Sequence, residues 1–221
     1  MNILRIKNKY VAVALFLMLA VTLQAQDYGA LQYMLQKRPA NEKFESNKFN
    51  EHLFFSAGVG PYSLLSGKET QDGLGMTARL FMGKWITPVH GLRIGVNMGY
   101  LPSKIYDSKI KMGGGSLDYL LNMSSLAYGY NPNRRFELFG IAGVEAGYSK
   151  VGDNSERSEK YPNLKGGGEF YYGAHIGLQG NIRLSHTLDL FVEPQIGWYN
   201  DVLSHRGSWR NYQVGGSVLV G

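Results

Sequence analysis

Residues 188–199 alternate without a break. Leu188, Leu190, Val192, Pro194, Ile196 and Trp198 fall on one face, and Asp189, Phe191, Glu193, Gln195, Gly197 and Tyr199 on the other. A side-chain period of two belongs to a β-strand; a helix would spread these residues around its axis. One face suits lipid and the other a polar interior. The same pattern predicts strands over 53–61, 74–86, 91–101, 116–129, 135–150, 168–184, 187–199 and 209–220. Most of these reach the ~9–11 residues with which a tilted strand crosses a bilayer. Eight is the smallest common strand number for such barrels. The expected fold is therefore all-β, an eight-stranded antiparallel up-and-down transmembrane β-barrel.

Sorting the strands by face separates charge from apolar surface. The outward set includes Leu92, Ile94, Val96, Met98 and Tyr100, with Phe170, Tyr172, Ala174, Ile176, Leu178 and Ile182, and carries no charge. The inward set holds Arg79, Arg93, Asp118, Glu137, Glu145, His175, Arg183, Asp189 and Glu193. An Arg on the lipid face costs ~2–4 kcal/mol at the midplane, so this segregation is a strong constraint. Lys84 falls on the outward face, but beside a predicted turn its long stem can carry the ammonium to the interface. Alternation alone does not distinguish inside from outside. A soluble sandwich or lipocalin-like barrel, with the apolar faces inward, has the same period.

Three features favour the membrane. The chain has 29 Gly and 15 Tyr, suited to crowded strand interiors and to interfaces where a ring meets water. Large aromatics, Tyr100, Tyr148, Trp198 and Trp85, stand near predicted strand ends. The connections alternate in length. Those after strands two, four and six are tight (Thr87 to His90, Tyr130 to Arg134, Ser185 and His186), and the others are long and polar, two of them containing Gly113 to Gly115 and Gly166 to Gly168 as flexible segments. In bacterial barrels short turns face the periplasm and long loops the exterior, which puts both termini in the periplasm.

The N-terminus adds an address. Arg5, Lys7 and Lys9 precede the apolar run from Val11 to Leu23 and the small residue Ala25, the pattern of a secretory signal peptide cleaved near Ala25. The expected organisation is a signal peptide over 1–25, a periplasmic leader over 26–51 and a barrel over 52–221. The leader's apolar patch, Leu31, Tyr33, Met34 and Leu35, suits either a short amphipathic helix or a disordered tether. With no Cys, a lipid-anchoring thiol, disulfides and thiolate metal sites are excluded. Losing Arg5, Lys7 and Lys9 reduces the formal charge of +6 by three, which is weak grounds for a nucleic-acid partner, and none is expected.

The inward charges are the candidate site. An eight-stranded barrel is just wide enough for side chains to fill, and an unpaired interior charge is costly, so the set is expected to form a salt-bridge network filling the lumen. A narrow or gated channel and an accessory subunit of a larger outer-membrane complex are the alternatives. A lipid A-modifying enzyme needs a base in reach of a nucleophile. His90 and His186 sit in predicted periplasmic turns, His52 precedes the first strand, and His175 faces the lumen. Only His205, beside Ser204 and Ser208, falls in an outer loop, and such neighbours are common by chance, so an enzyme is not expected. No metal-ligand spacing occurs, and the Gly triplets lack the following Lys-Ser or Lys-Thr of a phosphate loop, so no metal or cofactor is expected. The charged loop Gly152 to Lys165 is a surface through which a protein partner can be met. The other expected partners are outer-membrane lipid and the barrel-assembly machinery.

Gly83-Lys84-Trp85-Ile86-Thr87-Pro88 with Gly91-Leu92-Arg93, then Gly129-Tyr130-Asn131-Pro132-Asn133-Arg134, and more weakly Arg183-Leu184-Ser185 with Leu188-Asp189-Leu190, are turn-and-strand signatures. On these the chain resembles the N-terminal barrel of the Bacteroidetes OmpA-like outer-membrane proteins, over about residues 53–220. The resemblance implies an eight-stranded barrel in a Gram-negative outer membrane. Full-length members carry a peptidoglycan-binding domain after the barrel. None follows Gly221 here, so wall anchoring is not carried over. Family barrels also usually close on an aromatic residue, whereas this sequence reads Val218-Leu219-Val220-Gly221.

Overall fold

The computed structural model describes residues 51–65, 74–102, 109–151, 168–185, 187–200 and 212–221. Eight strands form a closed antiparallel barrel in chain order: β1 Leu53–Leu64, β2 Gly75–Trp85, β3 His90–Pro102, β4 Lys109–Asn122, β5 Phe136–Val151, β6 Gly168–Arg183, β7 Asp189–Tyr199 and β8 Gln213–Val220. The faces follow the alternation: Phe191 is 4% exposed and its neighbour Val192 45%. The apolar side points outward. Among the described residues no helix is long and apolar enough to cross a membrane.

Several expectations change. β4 begins at Lys109, so Gly113 to Gly115 lie within a strand and not in a loop. Crowding explains the middle one: a Cβ on Gly114 would stand 2.4 Å from the Ala146 carbonyl oxygen and 2.7 Å from the Tyr171 hydroxyl, so Gly114 is there for close approach rather than for flexibility. The fourth strand also stops at Asn122, and residues expected as its second half form a helix, α1, Met123–Tyr128. Asn122 caps it by accepting the Ser125 N–H at 2.8 Å, and Gly129 ends it at φ 74°. Leu126 and Tyr128 continue the alternation only by coincidence; the stronger local signal is the cap. The connection expected to be tight over Tyr130 to Arg134 thus includes this helix.

The other two short connections are true turns. Thr87 Oγ1 accepts the Val89 and His90 N–H groups at 3.2 and 2.9 Å, and Ser185 Oγ accepts those of Thr187 and Leu188 at 3.2 and 3.0 Å. In each a hydroxyl takes donors that the ladder leaves open. Trp85 is a further correction. It shares the parity of Arg79 and Phe81 and faces inward at the short-turn end, its ring 6.0 Å from Phe54 and 5.2 Å from Phe139. Tyr148 and Trp198 do face outward, 67% and 42% exposed.

Two prolines thin the wall. Pairing of β1 with β8 runs from Val59↔Val220 to Leu64↔Gly215 and skips Gly60 and Pro61, and pairing of β6 with β7 skips Leu178 and Gln179 opposite Glu193 and Pro194. Pro has no N–H to give a ladder. The closing seam therefore rests on four cross-strand pairs, against ten between β1 and β2.

The signal peptide, nearly all of the leader, Gly166 and Gly167, the loop Gly152 to Lys165, His186, and Ser204, His205 and Ser208 lie outside the described residues, as do positions 209–211 of the expected eighth strand.

Candidate functional site

Inward positions of neighbouring strands fall in rows across the sheet, and one such row builds the centre of the lumen. Arg93 pairs with Asp118, Asp118 with Gly143, and Gly143 with His175. The glycine between them lets the two flanking side chains meet, with His175 Nε2 3.1 Å from Asp118 Oδ1. A Cβ on Gly143 would lie 2.3 Å from that oxygen and 2.8 Å from that nitrogen. Gly143→Ala must therefore push the pair apart, and we expect a loss of ~1–3 kcal/mol in urea unfolding of the folded barrel, the usual cost of overpacking.

Arg93 is the hub. Its Nε donates to Asp118 Oδ2 at 2.6 Å, Nη1 to Glu193 Oε2 at 2.9 Å and to Gln179 Oε1 at 3.0 Å, and Nη2 to Glu193 Oε1 at 2.7 Å. The Glu193 contact is a two-pronged match of planar groups, the arrangement in which guanidinium binds carboxylate best. Phe81 lies beneath the guanidinium carbon, 3.9 Å from ring centroid to Cζ. Gln195 Nε2 also donates to Glu193 Oε1. Arg93, Asp118, His175 and Glu193 are each at most 2% exposed, so the cluster is removed from bulk water.

A second cluster stands nearer the long loops. Arg79 Nη2 is 3.1 Å from Glu145 Oε2, and the Tyr171 hydroxyl bridges Glu145 Oε1 at 3.0 Å and Asn97 Oδ1 at 3.2 Å. Asn97, Gly114, Gly147 and Tyr171 form one row, and the two glycines clear the path by which the tyrosine reaches two strands beyond its neighbour. The third cluster is a looser rim at the short-turn end. Arg183 lies 3.7 Å from both Glu137 Oε2 and Asp189 Oδ1, and also donates to the Pro132 carbonyl, while Asn122 Nδ2 donates to Glu137 at 3.3 Å.

All nine singled-out residues thus face one lumen, in three clusters. The neutral partners Asn97, Tyr171, Gln179 and Gln195 were not singled out. Their inward parity was the available signal, since a buried carboxylate or guanidinium needs more hydrogen bonds than its ion partner supplies.

Apolar layers flank these charges on either side. Tyr62, Leu64, Leu101, Ile110, Tyr171 and Tyr199 cluster toward the long loops, Phe81, Phe191 and Leu219 at mid-height, and Phe54, Trp85 and Phe139 toward the short turns. The site is a set of buried, mutually paired charges lying between these apolar clusters. Asp118 is the carboxylate within ion-pair distance of His175, and among the described residues no group of three His, Cys, Asp or Glu could hold a metal ion. His90, placed by sequence in a turn, opens β3 and stacks on Tyr119, with Nδ1 2.5 Å from the tyrosine oxygen.

The charged residues of the strands divide by type. Every strand Arg and every strand carboxylate has inward parity, and the strand lysines, Lys84, Lys109, Lys111 and Lys150, have outward parity. Arg makes the fixed, forked pairs a closed lumen requires, and Lys can reach from an apolar wall to water. A closed, even-numbered antiparallel barrel with a lipid-compatible exterior and a polar interior is the architecture of outer-membrane barrels, and this chain has it.

No family model matches the chain. It is 27% identical over 176 residues to outer membrane protein 40 of Porphyromonas gingivalis (strain ATCC BAA-308 / W83), a match covering 74% of this chain and 45% of that protein. The chain thus spans less than half the length of this curated relative. Among solved structures it is similar to Neisserial surface protein A, with TM-score 0.49 and 12% identity, and to Ail, the attachment invasion locus protein of Yersinia pestis, with TM-score 0.43 and 11% identity. Each similarity covers 76% of this chain and 94% of the other.

Proposed function

We propose that this protein is a non-conducting, non-catalytic barrel of the outer membrane, with a structural or surface-interaction role. The observation that carries the reading is the ion-pair cluster in the lumen: Arg93 ties β3, β4 and β7 together across its centre, between apolar layers on both sides. Such an interior supports the wall and leaves contact with other molecules to the exterior and the loops. The relative named outer membrane protein 40 supports the location. The tight β2–β3 and β6–β7 turns, at the end of the barrel opposite the longer β5–β6 and β7–β8 connections, support an orientation with the latter outside. Export by the signal peptide, insertion by the barrel-assembly machinery and a protein partner met through the long loops complete the proposal.

Planar-bilayer recording tests it. The folded wild-type chain is expected to give no unitary conductance under an applied voltage. Reproducible single-channel steps would overturn the structural role in favour of a channel whose gate is the Arg93 cluster.

A further inference from the structure

The outward lysines near the long loops form a patch that the lumen does not explain. Lys111 of β4 lies directly opposite Lys150 of β5, and Tyr100 of β3 lies opposite Lys111. Lys109, on the same face of β4, sets its ammonium 4.6 Å from the centre of the Tyr100 ring. All three lysines are exposed. Directly opposed strand residues hold their Cβ atoms about 4.5–5.5 Å apart, and like charges so placed repel. Among the described residues no carboxylate shares this face: the strand carboxylates have inward parity, including Glu169, opposite Ser149.

Position indicates what resolves the repulsion. Two residues before Lys150, Tyr148 points outward and meets Phe170 edge to face at 5.4 Å, with Tyr172 beyond it. Aromatic girdles mark the membrane–water boundary of a barrel. The ammonium groups stand one step further out, at the height of lipid headgroups. From these observations we propose that Lys109, Lys111 and Lys150, with Tyr100, bind the phosphate of an anionic membrane lipid on the outer wall of β3–β5. The binding rests on the membrane-barrel reading and adds a ligand class to it. The phosphate sits between Lys111 and Lys150 and converts their repulsion into two attractions. Lys109, held by the Tyr100 ring, supplies a third.

The test uses the full chain, folded and solubilised in a neutral detergent, with bound lipid counted by native mass spectrometry. The probes are phosphatidylglycerol and phosphatidylcholine with identical acyl chains. We expect selective retention of phosphatidylglycerol. In the combined variant Lys109→Gln, Lys111→Gln, Lys150→Gln that selectivity should fall at least about tenfold, since one basic side chain near an anionic surface contributes roughly fivefold. Lys84→Gln, at the other end of the barrel, should leave it unchanged. Equal retention by the combined variant and the wild type, or an equal fall with Lys84→Gln, overturns the site. Displacement of the lipid by millimolar inorganic phosphate overturns the lipid assignment in favour of a soluble phosphate. A heat-dependent mobility shift on gels, measured for every sample, separates this outcome from failure of the barrel reading. Wild-type protein without the shift refutes the barrel, whereas a variant that keeps it and still loses lipid supports the site.

Discussion

Arg93→Met lowers the stability of the folded barrel by about 3–5 kcal/mol, the cost of breaking a buried ion pair by removing one partner. The change strands two carboxylates, Asp118 and Glu193, each fully buried and each oriented by the lost guanidinium. The residual partners are His175 for Asp118 and Gln195 for Glu193, neither of which replaces a two-pronged match. Urea unfolding in lipid vesicles reads the loss, and the unboiled fast-migrating gel band should disappear at a lower temperature. Adding Asp118→Leu and Glu193→Met to the same chain removes the stranded charges and should recover most of the stability, because apolar groups of similar volume commonly replace a buried ionic cluster at little cost. An Arg93→Met barrel as stable as the wild type would mean that the cluster is hydrated and contributes little to the wall.

Val96→Arg tests the other face. Val96 stands midway along β3 and is 57% exposed, a position that costs almost nothing in water and ~2–4 kcal/mol at the centre of a bilayer. Met76→Arg, opposite Tyr100 near the long-loop end, should cost only ~0–1 kcal/mol, because there the guanidinium reaches the interface. The depth dependence is the signature. Unfolding from vesicles should separate the two variants clearly, and equal small effects would place this face in water.

The two variants differ in how readable their sites were. That Val96 shares a face with Leu92, Ile94 and Met98 follows from parity alone, since a strand sends successive side chains to opposite sides whatever its neighbours do; that this face is the outer one follows from the barrel. The Arg93 cluster follows only in part. Parity puts Arg93, Asp118, His175 and Glu193 on one face, and it does so equally for Trp85, whose place at a strand end suits a membrane interface as well. Gly114 and Gly143 do not show in the sequence as crowded positions, because the atoms that crowd them belong to other strands. Helix α1 was hidden because two apolar residues continued a period of two by chance, while its Asn122 cap was a local signal passed over.

The division of the strand residues into an apolar face and a charged face is written in the sequence, because it depends only on a local period and on residue type. That the apolar face is the outer one is a property of the closed barrel. Only the tertiary structure decided the partners. Arg93 and Glu193 are separated by 100 residues and meet because closure brings β3 and β7 to facing walls of one lumen. Asp118 meets His175 because the register of β4, β5 and β6 sets a glycine between them. Register and closure are long-range properties of the paired strands, so the pairings inside the lumen and the opposed lysines on its outer wall emerge only when all eight strands are assembled.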